Sequence, residues 1–553
     1  MVNKGLRREM SRTDLTMASL GAIIGSGWLF GALIASSIAG PSAIISWIIG
    51  GIVVMLIGLV YAELGGMLPE SGAIARYPQY THGSLVSFIM GWGAWIAYAS
   101  VPAIEAEATV EYTGHWIPSL WNSTAGLMTG TGTLVAALLM VVFFVINYYG
   151  VRLFARINTS VTYVKFVMPL ATIIVFLLFT KLHWGNYSAH GFAPGGTAGI
   201  LQAVATSGIV FSYLGFRQAL DLAGEAKHPQ RDVPRAIITA ISIGIVLYVL
   251  LQVVFTAGLS PALVSKAGGW TSSLSTALSA PFAQVAISLN LAWFSVLLYA
   301  DAILSPAGTG NIYTASTTRV VYALAHNRYF PKALTKVDEK TGIPRLALVV
   351  ALILGLIFLA PFPSWAALVG VVSSATVFTY IIGPVSLAVF RRDAPDAPRP
   401  YRLGGMKIIA PIAFVMGSLI IYWTGWLTDW KLLTAILLGL VLYFIFSSIM
   451  PDQIIKPTAQ HIRSGLWLVV YLILMLGMSY FGSARFGSPY TPAGSKVATG
   501  LIHYPLDLII VVVLAIVFYY WAVASGIQTE EGVAALKAVE QEGAEAAGSG
   551  FTA

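Results

Sequence analysis

The sequence Ile24-Gly25-Ser26-Gly27-Trp28 interrupts the first apolar segment that is long enough to cross a bilayer. A second interruption, Phe211-Ser212-Tyr213-Leu214-Gly215-Phe216, is expected in the sixth such segment. A helix broken at membrane depth leaves backbone N–H and C=O groups unpaired. Such a break persists only where it lines a cavity or is buried within the protein. Two breaks in corresponding segments are typical of a secondary transporter whose substrate lies near the bilayer midplane.

Composition restricts the class of protein. Of 553 residues, 57% are hydrophobic and 10% are charged, whereas a soluble domain carries about 25% charged residues. The chain is therefore expected to be a polytopic membrane protein made of α-helices. It has no cysteine, so we expect no disulfide framework and no thiolate metal site.

Apolar runs of roughly 20 residues predict membrane-spanning helices. We predict fourteen spans in this chain, at 14–39, 42–67, 84–114, 131–149, 156–180, 198–222, 235–259, 282–325, 344–361, 365–390, 406–427, 431–450, 464–482 and 502–526. These give five segments: a cytoplasmic N-terminus (1–13), a first repeat (14–180), a second repeat (198–390), four further helices (406–526) and a cytoplasmic tail (527–553).

The distribution of basic residues predicts the orientation. With the N-terminus placed inside, 24 of the 31 lysines and arginines fall in inner segments and 5 in outer segments, while Lys165 and Arg217 lie within spans. This asymmetry places both termini in the cytoplasm of a cell-membrane protein. It also explains the net charge of +8 without nucleic acid as a partner.

The first break offers donors and both breaks offer acceptors. Gly25 and Gly27 lack Cβ atoms, so a ligand can approach the backbone. The half-helix that follows begins with free N–H groups and a partial positive charge, which suit a carboxylate. Carbonyls just before each break suit an ammonium group, so together they would bind a zwitterionic α-amino acid. Alternatively, Gly-Ser-Gly only allows close helix packing. The pairing of breaks in the first and sixth spans favours a ligand site and a five-plus-five inverted repeat.

Five motifs occur together in the first eight spans: Ile24-Gly25-Ser26-Gly27, Tyr61-Ala62-Glu63-Leu64-Gly65, Pro69-Glu70-Ser71-Gly72, the run from Gly224 to Ala236, and Arg319-Val320-Val321-Tyr322-Ala323-Leu324-Ala325. In this combination the chain resembles the amino acid–polyamine–organocation superfamily. Four more stretches resemble the bacterial aspartate–proton symporters of that superfamily, which also have two extra C-terminal helices: Asp301-Ala302-Ile303-Leu304-Ser305-Pro306, Pro361-Phe362-Pro363-Ser364-Trp365, Arg399-Pro400-Tyr401 and Tyr504-Pro505-Leu506-Asp507-Leu508-Ile509.

The resemblance implies a leucine-transporter-type core of ten helices and transport by alternating access. It implies that the N–H groups of Ser26 and Gly27, beside Gly25, hold the substrate carboxylate. It implies that the substrate amine binds the carbonyls of Ile23, Phe211, Ser212 and Leu214. Phe211 and Tyr313 fall at aromatic gating positions of the superfamily.

Charged residues within spans are costly and functional by default. A lysine buried in hydrocarbon, such as Lys165, can exchange a proton at neutral pH, and proton-coupled members of the superfamily carry a lysine here. The alternative is a lysine that extends to the membrane surface. Glu105 matches a glutamate of the aspartate symporters, and Asp301 is a candidate proton site or partner of Lys165. For both, a purely structural role is the alternative.

Other polar residues have two possible roles each. Glu107 and Glu111 share a helix face, and Glu111 is expected to be solvated. Arg217 stands where many superfamily members have glutamate. It is expected either to receive the side-chain carboxylate of an acidic substrate or to pair with Glu105, Glu107 or Asp301. Glu63 is expected to be structural or gating.

Three histidines, His82, His228 and His326, are expected on the cytoplasmic surface, without metal-ligand spacing.

The sequence thus predicts proton-coupled uptake of an amino acid, with aspartate or glutamate favoured and no cofactor or metal. The alternatives are a carrier of polyamines or neutral amino acids, an exchanger, and a membrane receptor that binds amino acids without transporting them. An enzyme is disfavoured, because the chain has no phosphate-binding glycine loop, serine nucleophile elbow or paired metal ligands.

Overall fold

A computed structural model describes residues 10–70, 72–123, 125–149, 151–360, 364–487 and 498–549. The basic N-terminal residues before 10 and the motif residues Ser71 and Pro361–Pro363 lie outside this range. The described chain is almost entirely helical. One two-stranded antiparallel sheet pairs β1 (Trp121–Asn122) with β2 (Leu127–Met128).

The α-helices follow in chain order. The first half contains α1 (Arg12–Ile23), α2 (Gly27–Ala39), α3 (Ala43–Met67), α4 (Ala73–His82), α5 (Ser84–Gly114), α6 (Gly130–Tyr148), α7 (Val151–Phe179), α8 (Asn186–Ala189), α9 (Gly196–Thr206), α10 (Ile209–Tyr213), α11 (Gln218–Asp221) and α12 (Pro229–Gly258). The second half contains α13 (Pro261–Lys266), α14 (Ser272–Thr276), α15 (Pro281–Ser288), α16 (Ala292–His326), α17 (Arg345–Leu359), α18 (Trp365–Tyr380), α19 (Ile382–Asp393), α20 (Met406–Thr424), α21 (Trp426–Ile449), α22 (Ala459–Phe481), α23 (Leu506–Ser525) and α24 (Glu530–Ser549).

Ten helices of the described chain are long and apolar enough to cross a membrane, and the bent pair 196–206 and 209–221 would make eleven. The chain is therefore a multi-pass membrane protein. The predicted eighth span, 282–325, is divided into α15 and α16. α16 is not among the ten helices. It buries polar side chains such as Asp301, Asn311 and Thr317 on one face, while apolar side chains such as Val296 and Ile303 are exposed on another.

The first predicted break is confirmed. Helix α1 begins at a capping box formed by Ser11 and Asp14, and it ends at Ile23. Residues 24–26 are not helical, and α2 begins at Gly27. Ser26, at the end of the break, is fully buried. The break therefore lies inside the protein, where its backbone groups need partners other than water.

The second break lies earlier than the sequence predicts. Helix α9 ends at Thr206, and Gly208 has a φ of 91°, a conformation that a side chain disfavours. The segments on either side of this bend are inclined by 47°. The predicted interruption at 211–216 is wrong for 211–213, which are α-helical, while Leu214–Arg217 form a 3₁₀ turn.

The two broken helices pack against each other at their breaks. A Cβ on Gly215 would overlap the backbone N of Ile23, and a Cβ on Gly27 would overlap the Ser212 hydroxyl. Helix α5 packs along α16 and α18, while α12 packs along α1 and α3. Helix α7 packs against α1 and α16. The intramembrane charges on α5, α7 and α16 are therefore close to the broken helices.

On the side where α3 and α19 meet, Glu63 is fully buried and paired with two arginines. Arg391 donates to both of its carboxylate oxygens, at 2.8 and 2.5 Å. Arg399 approaches to 3.4 Å, and Leu403 N–H donates at 2.7 Å. These contacts support the structural role expected for Glu63, since they fasten the loop after α19 to α3.

Replacing Gly215 with alanine is expected to destabilise the protein, because the new methyl group would push α1 away from the 3₁₀ turn. Overpacking of this kind typically costs about 1–3 kcal/mol. Gly477→Ala is the matched control, since Gly477 lies in α22 and a methyl group added there would meet no atom within 4 Å. Thermal unfolding of the purified proteins in detergent would measure both. An unchanged melting temperature for Gly215→Ala would contradict the close contact.

Candidate functional site

The start of α2 faces a carboxylate that belongs to the chain itself. Ser26 N–H donates to Glu105 Oε2 at 2.9 Å, and Glu105 is fully buried. Its other oxygen, Oε1, lies 2.5 Å from the position that a Cβ on Gly25 would take. A carboxylate is the group that a helix N-terminus stabilises. The start of α2 thus donates to a carboxyl group of the chain itself, and the binding of a substrate carboxylate there stays a prediction.

Lys165 reaches the same break from the other side. Its ammonium group donates to the carbonyl oxygen of Gly21 and to Thr309 Oγ1, both at 2.5 Å. Thr309 in turn donates to Gly21 O at 3.2 Å. Lys165 is fully buried, so it does not extend to the membrane surface. It links the end of α1 to α16.

Asp301 completes a group of three buried charges. It lies two helical turns before Thr309, on the same face of α16, and Lys165 interacts electrostatically with both Asp301 and Glu105. Neither carboxylate oxygen of Asp301 has a hydrogen-bond partner within the described part of the chain. Of the three residues that the sequence singles out for proton coupling, Glu105 and Lys165 therefore contact the first break, and Asp301 lies further along α16.

The carbonyl groups predicted to bind an amine have partners already. Tyr248 donates to Ile23 O at 2.8 Å, and Tyr380 donates to Leu214 O at 3.1 Å. Phe211 O accepts the N–H of Leu214 at the end of α10. Ile23 O also accepts the N–H of Gly25 at 3.1 Å, so both lone pairs of this carbonyl oxygen are used. Sequence reasoning does not single out the two tyrosines, because a lone tyrosine in an apolar segment has no distinguishing pattern.

The Ser212 side chain bonds within its own turn. Its hydroxyl donates to Gly208 O at 2.7 Å. The carbonyls before both breaks are therefore held in place by neighbouring side chains and turns.

Arg217 does not pair with any of the three predicted partners. Its Nε lies 4.0 Å from Asp221 Oδ2, and its guanidinium carbon lies 4.1 Å from the ring centre of Tyr98. Tyr98 also donates to Asp221 at 2.7 Å. The predicted pairing with Glu105, Glu107 or Asp301 is wrong, because Asp221, one turn along the same segment, neutralises the guanidinium locally.

The two predicted gating residues belong to different aromatic groups. Phe211 meets Trp365 edge-on at 6.0 Å, and Trp365 stacks on Phe30 at 5.1 Å. Trp365 also donates its indole N–H to Ser26 Oγ at 2.6 Å. Tyr313 instead packs edge-on against Tyr98, at 5.2 Å, beside Arg217.

A small depression lies next to the Trp365 ring, whose indole N–H bonds to Ser26. Phe30, Trp365 and Glu111 are among the residues that line it. Glu111 is partly exposed, as predicted, whereas Glu107 is fully buried with neither oxygen hydrogen-bonded to a described residue. Trp365 thus contacts the depression and the first break at once.

The histidines lie apart from the site. His228 and His326 are exposed, as predicted, but His82 is fully buried. Its ring contacts Thr81 Oγ1 and the carbonyl of Ala522, and burial lowers the pKa of His82 to about 4. His82 is therefore neutral at physiological pH. Within the described ranges, no three histidine, aspartate or glutamate side chains are grouped so that they could hold a metal ion.

Comparisons with known proteins agree with this architecture. The sequence profile described as amino acid permease matches residues 10–476. The glutamate/serine transporter AimA of Bacillus subtilis (strain 168) is 42% identical over 532 residues, which cover 95% of each chain. The aspartate-proton symporter of the same organism is 39% identical over 521 residues, 94% of this chain and 97% of the relative. Its branched-chain amino acid permease BcaP is 28% identical over 458 residues, 80% of this chain and 94% of the relative.

Arg217→Met is expected to destabilise the protein strongly, because it leaves Asp221 as a buried charge without its cation. Losing one partner of a buried pair costs about 3–5 kcal/mol. The double variant Arg217→Met/Asp221→Asn should recover most of this loss, since both charges are then absent. Thermal unfolding of both single variants and the double variant measures the coupling. Additive losses would contradict a direct Arg217–Asp221 interaction.

Proposed function

The chain belongs to the amino acid permease family, and from this premise we propose that it is a proton-coupled amino acid symporter with aspartate and glutamate as preferred substrates. The single observation that carries the proposal is the buried break between α1 and α2, which presents backbone N–H groups to a carboxylate. The names of two relatives with 42% and 39% identity, a glutamate/serine transporter and an aspartate-proton symporter, support the substrate class.

The substrate would bind between the two breaks. Its α-carboxylate would take the N–H groups of Ser26 and Gly27, beside Gly25. Its ammonium group would bind carbonyls at the ends of the broken helices, and at Ile23 it would replace a present donor. These carbonyls are Ile23, Phe211, Ser212 and Leu214. The contact between Gly27 and Ser212 supports this arrangement, because it places the donor end and the acceptor end side by side.

Alternating access would open one side of this site at a time. Phe211 packs on Trp365, which lines the depression, and this position suits a gate towards that side. Tyr313, packed on Tyr98, suits a gate towards the opposite side. To close one side and open the other, the two broken helices would move relative to α5 and α16.

Proton coupling would use Lys165, Glu105 and Asp301. Three ionisable groups that interact inside a membrane protein cannot all change charge independently, because an uncompensated charge there is costly. When one of them gains or loses a proton, the net charge that the other two and the substrate must neutralise therefore changes. Lys165 is the best placed to transmit this change, since its two hydrogen bonds join α1 to α16.

The membrane topology would follow the sequence pattern. We propose fourteen spans in the cell membrane, with repeats at 14–180 and 198–390 that form a leucine-transporter-type core of five plus five helices. Four further helices occupy 406–526. Both the N-terminal segment 1–13 and the tail 527–553 would be cytoplasmic, as the distribution of lysine and arginine indicates.

A small neutral amino acid such as serine is the second candidate substrate. Arg217, the cation expected to select an acidic side chain, is already paired with Asp221 and is 2% exposed. One relative is named for both glutamate and serine. These two observations favour a site that accepts an amino acid backbone with more than one short side chain.

Uptake by purified protein in proteoliposomes tests the proposed function directly. Labelled aspartate is offered with an inward proton gradient, then with an inward sodium gradient, and unlabelled glutamate, serine and putrescine are added as competitors. We expect accumulation driven by the proton gradient and competition by glutamate. Accumulation driven only by sodium, or competition by putrescine and not by glutamate, would contradict the proposal.

Lys165→Ala is expected to reduce proton-driven uptake to the level of liposomes without protein, because the link between α1 and α16 is lost together with its charge. Substrate binding should remain measurable, since Lys165 does not contact the proposed carboxylate position. Lys181→Ala is the control, because Lys181 is exposed after the end of α7. Undiminished proton-driven uptake by Lys165→Ala would remove this residue from the mechanism.

A further inference from the structure

The proposed position of the substrate carboxylate is already filled. The N–H of Ser26 donates to Glu105 Oε2 at 2.9 Å. Oε1 of the same carboxylate lies 2.5 Å from the Cβ position of Gly25, so Glu105 lies against the backbone of the break. A substrate carboxylate and Glu105 cannot both use this N–H at the same time.

We infer that Glu105 is a tethered substitute for the substrate's α-carboxylate, which the incoming substrate displaces from the start of α2. The inference rests on the proposed function and deepens it, because it assigns Glu105 a role in ligand selection besides charge coupling. The N–H groups at the start of α2 then have a carboxylate acceptor both with and without substrate, so they are never left unpaired in this buried site.

The bond that holds Glu105 is suited to exchange. Its carboxylate accepts a hydrogen bond from Ser26 N–H through Oε2, while Oε1 has no partner among the residues that the structure describes. A carboxylate has about four lone-pair positions, so this one is held well below its capacity. A substrate carboxylate that reaches both Ser26 and Gly27 N–H would be held by more donors.

Lys165 supplies a place for the displaced carboxylate. An ammonium group has three N–H donors, and the two hydrogen bonds of Lys165 to Gly21 and Thr309 leave one. Glu105 Oε1 lies 2.5 Å and Thr309 Oγ1 2.9 Å from the Cβ position of Gly25, and Thr309 is itself bonded to Lys165. A rotation of the Glu105 side chain would therefore bring its carboxylate to the free N–H of Lys165.

Displacement makes the site selective for ligands with an α-carboxylate. A ligand with this group replaces one anion by another at the helix start. An amine without it leaves Glu105 in place and gains no donor there. The charged groups that face Glu105 across the packed helices are Lys165 and, through it, Asp301, so the exchange is sensed by the same residues that the proposed proton coupling uses.

Equilibrium binding of labelled glutamate to purified variants tests the inference. Glu105→Gln weakens the competing acceptor, and Glu105→Ala removes it. We expect both to bind glutamate more tightly than the unaltered protein, by roughly tenfold, because the ligand no longer has to break a charged hydrogen bond to reach Ser26 N–H. Glu107→Gln is the matched control, since Glu107 is also fully buried on α5 but is not bonded to the break.

A ligand without the α-carboxylate separates displacement from a general structural effect. The α-amide of aspartate should gain much less affinity than glutamate does when Glu105 is replaced. Equal gains for both ligands, or glutamate affinity that is unchanged or reduced in both Glu105 variants, would overturn the inference. An unaltered protein that binds no amino acid would instead contradict the proposed function.

Discussion

The hydrogen bond between Ser26 N–H and Glu105 satisfies the constraint on which the site depends: a helix interrupted in a buried environment must find partners for its free backbone groups. At the end of α1, Lys165 and Thr309 donate hydrogen bonds to Gly21 O, and Tyr248 donates one to Ile23 O. The first break is therefore a backbone segment whose donors and acceptors are held by side chains from α5, α7, α12 and α16.

These partners explain why the costly charges lie where they do. A carboxylate is stabilised at the start of α2 and an ammonium group at the carbonyl end of α1, as the dipoles of the two half-helices require. Glu105 thus lies where the proposed substrate carboxylate would bind, and Lys165 binds Gly21 O, just before the Ile23 carbonyl proposed for the substrate amine. The backbone N–H and C=O groups at the break therefore bind a carboxyl and an ammonium group of the protein itself, the same two chemical groups that an amino acid substrate carries.

The sequence predicts the parts of this arrangement that have a local signal. Gly25-Ser26-Gly27 within an apolar run locates the first break, and isolated charges locate Glu105, Lys165 and Asp301. The second break lies earlier than its prediction because the residues after Gly208 continue the apolar pattern, and the bend depends on a backbone angle that the pattern does not show. Contacts between distant segments, such as Tyr248 with Ile23, have no signal in one sequence.

The partner of Arg217 is a second feature that the sequence does not predict. Asp221 is only four residues away, a spacing that favours pairing on a helix, yet it lies at the predicted end of a span, where a solvated carboxylate is equally reasonable. The structure places this pair beside Tyr98 and Tyr380, so the charge is satisfied locally. The four-residue spacing therefore makes an Arg217–Asp221 pair possible, but only the tertiary packing shows that Arg217 pairs with Asp221 rather than being free to bind a ligand.

A structure determined with bound glutamate tests the central claim most directly. The account predicts the α-carboxylate of the ligand at the N–H groups of Ser26 and Gly27, with the Glu105 side chain rotated away towards Lys165. A ligand bound elsewhere, with Glu105 still bonded to Ser26 N–H, would contradict it.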